Sequence, residues 1–237
     1  MNTEVAVNKT QAVAAPIGAW GCEDASAKDL VVPRLQLVQA TSDICKNGGA
    51  RPGEIVNGQT SQILAPKGAF LDLLPILTVG SWVVSEPVVG AQPKFIRMEA
   101  VTPQNDSDNW KVESYENGKP VLKQKRLSVL VLSLASLDGF PFFIDFQKTN
   151  RKPGQILSTI IQENKFKNLP APARVVSVSS ALKTREQNSW FVYTVAVKRD
   201  ATADELAACK RWYDIFASKA KDAVLQQEGG ADEAVPF

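Results

Sequence analysis

The stretch Arg126–Gln147, RLSVLVLSLASLDGFPFFIDFQ, decides the fold of this chain. Its first half is an almost unbroken apolar run, which is typical of a buried β-strand and is too short to span a bilayer. Asp138-Gly139 is a turn signal, and large apolar residues recur at alternate positions from Phe140 onward. The stretch therefore predicts two antiparallel strands, Arg126–Ser136 and Phe140–Gln147, joined by a tight turn.

A helix and a second strand pair follow this stretch. Asn150-Arg151-Lys152-Pro153 places a proline in a first helical turn, and isoleucine and leucine then recur at helical spacing as far as Leu169-Pro170. Arg174–Leu182 and Ser189–Lys198 predict the strand pair. The capping box Thr202–Glu205 then begins a C-terminal amphipathic helix. The apolar side of that helix carries Leu206, Cys209, Tyr213, Phe216, Ala220 and Val224.

Further strands precede the opening stretch. Phe70–Val84 is long and mostly apolar, and the strand-like segment Lys94–Ala100 follows it. Asn109–Tyr115 and Val121–Lys125 flank Asn117-Gly118, a dipeptide typical of a tight β-hairpin. The shorter strand candidates nearer the N-terminus are Asp29–Gln39, which Pro33 marks as an edge strand, Glu54–Gly58 and Gln62–Leu64.

The order of these elements predicts the architecture. Without the hairpin region 93–125, the chain from Phe70 runs strand, strand, strand, helix, strand, strand, helix. This order is that of an OB-fold followed by an extra helix. The sequence therefore predicts a mainly β protein of the α+β class with two helices, built on an OB-like Greek-key barrel. Another mixed β-sandwich or barrel with a covering helix is the alternative.

The same pattern predicts three parts of the chain. Residues 1–28 form an irregular N-terminal arm, and residues 29–226 form the OB-like domain with the insertion 93–125. Residues 227–237 form an acidic tail without regular structure, because glycine and proline interrupt it and it lacks enough apolar residues for a core.

Composition argues against several kinds of chemistry. The 237 residues include no histidine, which is the commonest general base and metal ligand. The three cysteines form no CxxC pair, so neither a zinc site nor a redox pair is predicted. Asp106-Ser107-Asp108 lacks the glycine and distant glutamate of a calcium loop and predicts a polar turn. We therefore expect a protein that is not an enzyme and holds no metal or cofactor.

Charge is distributed unevenly along the chain. Residues 222–237 carry four acidic and no basic side chains, so residues 1–221 carry +6 of a net charge of +2. Most of the excess lies between Gln147 and Glu186, where there are eight basic and two acidic side chains. A basic body with an acidic tail can attract a polyanion and compete with it within the same chain. Ordinary surface charge is the alternative.

The predicted Asn-Gly hairpin carries the first group of candidate binding residues. Binding of single strands without sequence preference requires cations along a groove and aromatic faces on which bases stack. The hairpin candidates for DNA binding are Trp110, Lys111, Tyr115, Lys123, Lys125 and Arg126. Trp110 follows a polar run, which is an unusual place for a core tryptophan, although packing of the hairpin onto the barrel would also explain it.

A second group of candidates lies around the predicted interior helix. Residues in phase with Phe146 are assigned to the core, so Phe143 is predicted to point outward as a stacking platform. Lys148, Arg151 and Lys152 stand at the helix start, where the helix dipole favours acids, and a bound phosphate would explain them. The remaining DNA-binding candidates are Trp82, Lys183, Arg185 and Trp190. Core or edge packing is the alternative for each aromatic residue.

The C-terminal residues Asp232-Glu233-Ala234-Val235-Pro236-Phe237 follow a Gly229-Gly230 link and combine two carboxylates with an apolar tip. A carboxylate beside an aromatic ring can be bound by a partner pocket that contains Arg or Lys. The ending resembles the acidic tip of single-stranded DNA-binding proteins, both the bacterial Asp-Ile-Pro-Phe ending and acidic, Phe-terminated phage versions. A frayed terminus is the alternative.

A second resemblance involves the N-terminal third of the chain. The run from Pro33-Arg34-Leu35 through Pro52-Gly53 to Val56-Asn57 is similar to the opening of a group of tailed-phage proteins, some of which bind single-stranded DNA. The resemblances imply a phage-type single-stranded DNA-binding protein of DNA replication or recombination. They imply a location in the cytoplasm of the bacterial host, without membrane attachment, as a monomer or homodimer.

The resemblance also assigns a role to the tail. It implies a partner-binding segment that recruits replication or repair proteins and lies in the basic groove when DNA is absent. The residues of this segment are Asp232, Glu233, Val235, Pro236 and Phe237. Two alternatives remain open at this point: a phage structural or host-interaction β-sandwich without nucleic-acid binding, and a single-strand annealing recombination protein.

Overall fold

A computed structural model describes residues 31–90, 93–218, 220 and 224–225. The predicted arm 1–28 and tail 227–237 lie outside these residues. Within the described part, the helices and strands are β1 (Arg34–Leu37), α1 (Asp43–Lys46), β2 (Ile55–Asn57), β3 (Ile63–Ala65), β4 (Leu71–Glu86), β5 (Lys94–Ala100), β6 (Lys111–Glu116), β7 (Lys119–Ser133), β8 (Phe142–Phe146), α2 (Arg151–Phe166), β9 (Arg174–Arg185), β10 (Asn188–Asp200) and α3 (Ala203–Phe216).

The strands form one open, mixed sheet. Its hydrogen-bonded order is β10-β9-β4-β7-β8-β1-β2-β3, with β5 paired to β4 and β6 paired to β7. β1 and β8 are parallel, whereas the other pairs are antiparallel. The mainly β, α+β class predicted from the sequence is thus confirmed, but the predicted number of two helices is wrong, because the described residues also form the short helix α1.

Two long strands connect all parts of the sheet. β4 pairs with β7 from Leu73↔Ser133 to Ser85↔Leu122. Residues 81–86 of β4 also pair with β5, and residues 119–124 of β7 also pair with β6. The predicted insertion is therefore a four-stranded extension of the same sheet. The prediction that Val121–Lys125 and Arg126–Ser136 are separate strands is wrong, because the ladder with β4 passes through Lys125 and Arg126 without interruption.

The turn of the predicted hairpin is confirmed. Asn117 and Gly118 both have positive φ angles, 50° and 76°, between the paired residues Glu116 and Lys119. Asparagine and glycine adopt this left-handed backbone at the lowest cost, which explains why a two-residue turn forms here.

The sheet is buried on both faces in its centre. Leu73, Val129 and Val131 belong to one core layer, which α2 covers with Leu157 and its neighbours. The other layer lies on the opposite face and contains Leu74, Ile76, Leu130, Leu132 and Phe143, covered by Ala208, Cys209 and Phe216 of α3. Continuous apolar runs in β4 and β7 are the sequence signature of strands with two buried faces.

The start of α2 packs closely on β8. Pro153 and Gly154 are buried in its first turn, as the sequence predicts for the proline. A Cβ atom on Gly154 would lie 2.5 Å from Cβ of Phe146, so a larger residue would force the helix away from the sheet.

The predicted capping box of α3 is confirmed. Glu205 N donates to Thr202 Oγ1 at 3.4 Å, and Thr202 N donates to Glu205 Oε2 at 2.8 Å. Arg199 donates to both carboxylate oxygens of Glu205, at 2.6 and 2.8 Å, and these bonds lower the pKa of Glu205 to about 2. The box therefore fixes the helix start to the end of β10.

Several boundaries differ from the sequence prediction. β1 lies between β8 and β2, so it is not an edge strand; Pro33 stands just outside it, and its carbonyl oxygen accepts from Phe143 N at 2.9 Å. The connection between β7 and β8 runs from 134 to 141 and is longer than the predicted tight turn. β9 and β10 are longer than predicted and enclose the two residues 186–187.

Side chains link β10 to β1 where backbone pairing between them is lacking. The Gln39 amide donates to Phe191 O at 3.0 Å and accepts from Phe191 N at 2.9 Å. The Tyr193 hydroxyl donates to Leu35 O at 3.2 Å. These bonds connect the edge strand β10 to the interior strand β1 and to Gln39 just after it. Among the described helices, none is long and apolar enough to cross a membrane.

Candidate functional site

Three basic residues converge at the start of α2. A 3₁₀ turn at Lys148–Asn150 leads into the helix, and Asn150 Oδ1 accepts from Tyr193 N at 2.8 Å, which ties the turn to β10. Arg151 and Lys152 are exposed, and the first turn of α2 contains no acidic residue. Within the described ranges, no carboxylate lies within ion-pair distance of Lys148, Arg151 or Lys152. The helix dipole adds to this positive potential.

Trp110 lies against these cations. The Arg151 guanidinium carbon is 5.0 Å from the centre of the Trp110 ring, within the range of a cation–π contact. Trp110 itself is half-buried, and its carbonyl oxygen accepts from Lys125 N at 2.8 Å. The structure thus brings the hairpin tryptophan and the helix-start arginine together, although the sequence predicts them as separate groups.

The hairpin cations differ from those of α2 because each contacts an acidic residue. Lys123 Nζ lies 3.1 Å from Glu99 and 3.0 Å from Glu116, and Lys111 Nζ lies 3.1 Å from Glu113. Lys125 pairs with Asp106. These ion pairs neutralise the positive charge of Lys111, Lys123 and Lys125. The three lysines are therefore less available to bind phosphate than the sequence predicts.

The pKa values of this network follow from its geometry. Burial disfavours the charged form of Lys123, but hydrogen bonds to Glu116 and Glu99 outweigh it and raise the pKa of Lys123. Arg97 and Lys123 hold the pKa of Glu116 below its usual value. Lys125 likewise lowers the pKa of Asp106, so this residue acts as an ion-pair partner within its polar turn.

Arg126 is a structural residue. It is buried, its Nε donates to Gln147 Oε1 at 3.2 Å, and its guanidinium lies 4.0 Å from Asp145 Oδ2. Asp145 also pairs with Arg34. Burial alone would raise the pKa of Asp145, but the two arginines and a hydrogen bond from Ser128 lower it.

Two aromatic candidates are not exposed. Phe143, predicted to point outward, has 0% exposure because α3 and Val32 cover that face of β8, and this prediction is wrong. Trp82 is 2% exposed, and its Nε1 donates to Asn105 O at 3.1 Å beneath the loop that precedes β6. Neither ring is available for base stacking in this conformation.

The β9–β10 hairpin forms a second basic end. Lys183 and Arg185 are exposed, and no carboxylate among the described residues pairs with them. They belong to β9, whereas the sequence predicts them in the turn. Trp190 is opposite Lys183 in the ladder and is half-buried.

Sequence reasoning missed two residues near this second end. Lys67 lies 5.0 Å from the ring centre of Phe191, and Phe70 is 71% exposed immediately before β4. The sequence contains no signal for the exposure of Phe70, because an apolar residue at a strand start usually belongs to the core. Tyr115, a predicted candidate, is also well exposed, at 78%.

Other candidates lie outside what the structure describes or are not brought together. The tail residues Asp232, Glu233, Val235, Pro236 and Phe237 fall outside the described ranges. Among described residues, no group of three or more His, Cys, Asp or Glu side chains is close enough to hold a metal ion. Within the part of the chain that the structure describes, predicted cations lack acidic partners at two surfaces, the start of α2 and the β9–β10 tip.

These features define a mainly β protein with two helices on opposite faces of its sheet and an uncompensated basic surface at the start of one of them. A family model described as Pam3 phage gp34-like protein matches residues 4–222, so the chain belongs to this family of phage proteins. The predicted phage origin is confirmed by this match. Searches of curated proteins and of solved structures gave no match.

Proposed function

We propose that the protein binds single-stranded DNA without sequence preference and serves phage DNA replication or recombination without being an enzyme. The observation that carries the proposal is the cluster of Lys148, Arg151 and Lys152, which lacks acidic partners among the described residues and has Trp110 against Arg151. Phosphates bind to such cations, and bases stack on nearby aromatic rings. A predominantly electrostatic interface makes affinity fall steeply with salt.

The strand order supports an OB-like barrel as the scaffold. The path β10-β9-β4-β7-β8, with α2 between β8 and β9, corresponds to OB strands 5-4-1-2-3. An OB barrel closes by a parallel pair of strands 3 and 5. Here β1 takes the parallel place beside β8, and hydrogen bonds of Tyr193 to β1 and of Gln39, two residues after β1, to Phe191 connect this region to β10.

The ligand-binding loops of OB-folds agree with the location of the free cations. In that fold the loops between strands 1 and 2 and between strands 4 and 5 contact oligonucleotides. The first corresponds to the extension that carries Trp110 and Tyr115, and the second corresponds to the tip with Lys183 and Arg185. The start of α2 lies beside the first of these regions, because Arg151 contacts the ring of Trp110.

A titration of labelled oligo-dT, followed by fluorescence anisotropy across a salt series, tests the proposal. The double variant Arg151→Glu/Lys152→Glu should weaken binding by about tenfold or more and make the salt dependence shallower by about 0.7 per lost phosphate contact. Lys167→Glu, an exposed lysine just beyond the other end of α2, is the matched control and should change affinity by less than about twofold. Lack of wild-type binding at low salt would refute the function.

A phage structural or host-interaction protein is the second candidate. The burial of Trp82 and Phe143 and the acidic partners of Lys123 and Lys125 favour it, because they remove four predicted DNA contacts. It predicts no oligonucleotide binding even at low salt. A single-strand annealing protein would bind oligo-dT but would also speed duplex formation between complementary strands, so adding the complement distinguishes that third function.

The tail is part of the same proposal. Its acidic residues and apolar tip suit recruitment of replication or repair proteins, as the resemblance implies. A pull-down of host replication proteins by the full chain, compared with a chain that ends at residue 231, tests this role. Equal recovery of partners by both chains would contradict it.

A further inference from the structure

A large apolar groove lies between α2 and α3, away from the cations discussed above. Its volume is about 690 Å³. Its lining is Ile76, Ile161, Lys165, Leu169, Pro170, Ala171, Pro172, Leu206, Ala207, Cys209, Lys210 and Tyr213. The sequence predicts Leu206 and Tyr213 on the core side of α3 with Cys209 and Phe216, but in the structure these two residues line the groove and are not part of the buried layer. An apolar cleft of this size is large enough for several side chains.

The rim of the groove is apolar and basic. Two of the apolar residues that line it are well exposed, Leu169 at 47% and Tyr213 at 46%. An exposed apolar patch of this kind usually marks a binding site. Lys165 is exposed without an acidic partner among the described residues, whereas Lys210 is bonded to Asp214.

We propose that this groove binds the chain's own C-terminal segment, Asp232–Phe237. Val235, Pro236 and Phe237 occupy the apolar floor, and Asp232 and Glu233 lie beside Lys165, the groove lysine that has no acidic partner among the described residues. The segment and the groove are chemically complementary, because each combines an apolar part with charges of opposite sign. This docking goes beyond DNA binding and does not depend on it.

The length of chain beyond the described residues permits this contact. The last described residue is Leu225, and Val224 packs in the α3 core layer. Cys209, which lines the groove, belongs to the same buried layer as Val224, so the described chain ends at the core layer that borders the groove. Residues 226–237 reach up to about 40 Å when extended, at about 3.3 Å per residue. The Gly229-Gly230 link also allows the chain to turn back.

The location of the groove changes the predicted role of the tail. α2 has 16 residues and is therefore about 24 Å long, with the basic cluster at its start and the groove near its end. A segment docked in the groove leaves Lys148, Arg151 and Lys152 uncovered. The tail is then stored on the protein while DNA binds, and a partner with a stronger pocket releases it.

Photo-crosslinking in the full chain tests the docking. Phe237 is replaced by benzoylphenylalanine, the protein is irradiated, and crosslinked peptides are identified by mass spectrometry. We expect crosslinks within one chain to the peptides that contain Leu169 and Tyr213, with and without oligo-dT. Crosslinks at the start of α2, crosslinks between two chains, or an absence of crosslinks would each overturn the proposal.

Two groove variants and one control variant sharpen this experiment. Ala207 is exposed and lines the groove, so Ala207→Trp fills it and should lower the crosslink yield about tenfold, which corresponds to about 1.4 kcal/mol of docking. Ala203→Trp, at the exposed start of the same helix, should leave the yield unchanged. Lys165→Glu should lower the yield as well, without altering the fold. A crosslink yield that is unchanged in both Ala207→Trp and Lys165→Glu would contradict the proposed docking in the groove.

Because this test measures crosslinks rather than affinity for DNA, the two proposals fail separately. A protein that does not bind oligo-dT can still show crosslinks from residue 237 to the groove. Equally, oligo-dT binding with crosslinks elsewhere would leave the proposed function intact and remove the docking.

Discussion

The extension around β5–β7 and the start of α2 contain the same kinds of residue but differ in their partners. Lys123 lies between Glu99 and Glu116, and Lys125 lies beside Asp106. Lys148 and Lys152 have no such partner among the described residues. A cation that is already paired gains less from a phosphate, so the two regions should respond very differently to mutation. The comparison predicts that the acidic neighbours of a basic residue matter more for phosphate binding than the number of basic residues.

The largest effect should come from the partly buried ion pairs of Asp145 with Arg34 and Arg126, which join β8 to β1 and β7. Asp145→Ala leaves Arg126 and Arg34 near each other without the carboxylate between them, and should cost about 3–5 kcal/mol of the free energy of unfolding. Urea denaturation measures this loss. Asp138→Ala removes an exposed pair with Arg211 and should cost less than about 1 kcal/mol. Similar losses in the two variants would show that Arg126 is not a structural residue.

The two tryptophans provide the second test. Trp82→Ala removes a buried ring and should cost about 3 kcal/mol of stability. Trp110→Ala should cost less stability but weaken oligo-dT binding by about tenfold, because its ring lies beside the free cations. Denaturation and anisotropy are measured on both proteins. If Trp82→Ala weakened oligo-dT binding more than Trp110→Ala under conditions where both variants are folded, the assignment of Trp110 to the binding surface would be wrong.

A smaller effect is expected for the paired lysine. Lys123→Met keeps the apolar stem but leaves Glu99 and Glu116 with Arg97 alone, so stability should fall by about 1 kcal/mol or less. Oligo-dT affinity should change by less than about twofold. A loss of affinity as large as that of Arg151→Glu/Lys152→Glu would show that the extension binds DNA despite its ion pairs.

The smallest effect concerns acid titration of the same network. Since the pKa of Glu116 is lowered in the folded protein, its ion pairs stabilise the fold above the unfolded pKa, and this contribution disappears as the pH falls through the folded pKa. In Lys123→Met the pKa of Glu116 should rise toward its ordinary value. NMR titration of the Glu116 side chain measures both values. An unchanged pKa in the variant would show that Arg97 alone determines it.

Local signals in the sequence predicted much of the architecture. Asn117-Gly118, Pro153 and the Thr202–Glu205 box each depend on neighbouring residues, and all three occur in the structure as predicted. The order of strands from Phe70 also follows from such signals, apart from the single long strand β7. Residue type and spacing are sufficient where the interaction partner is only a few residues away.

Long-range packing accounts for the errors. Phe143 alternates correctly within β8, but the opposite face is covered by α3, which the alternation cannot reveal. The ion pairs of Lys123 and Lys125 depend on the register of β4 with β5 and β7. Trp110 and Arg151 meet only because the extension folds over the start of α2. Each of these contacts depends on where distant helices and strands pack, and composition and periodicity give no information about that packing.

The continuity of β4 and β7 has a consequence for protein engineering. Both strands run from the core layers into the extension, and β4 pairs with β7 along nearly its full length. The residues between 87 and 118 therefore cannot be excised and grafted as a separable module, since their removal would expose the edges of both strands over residues 81–86 and 119–124. In the sequence this segment is an insertion, but in the structure it completes the end of the same two strands that form the centre of the core.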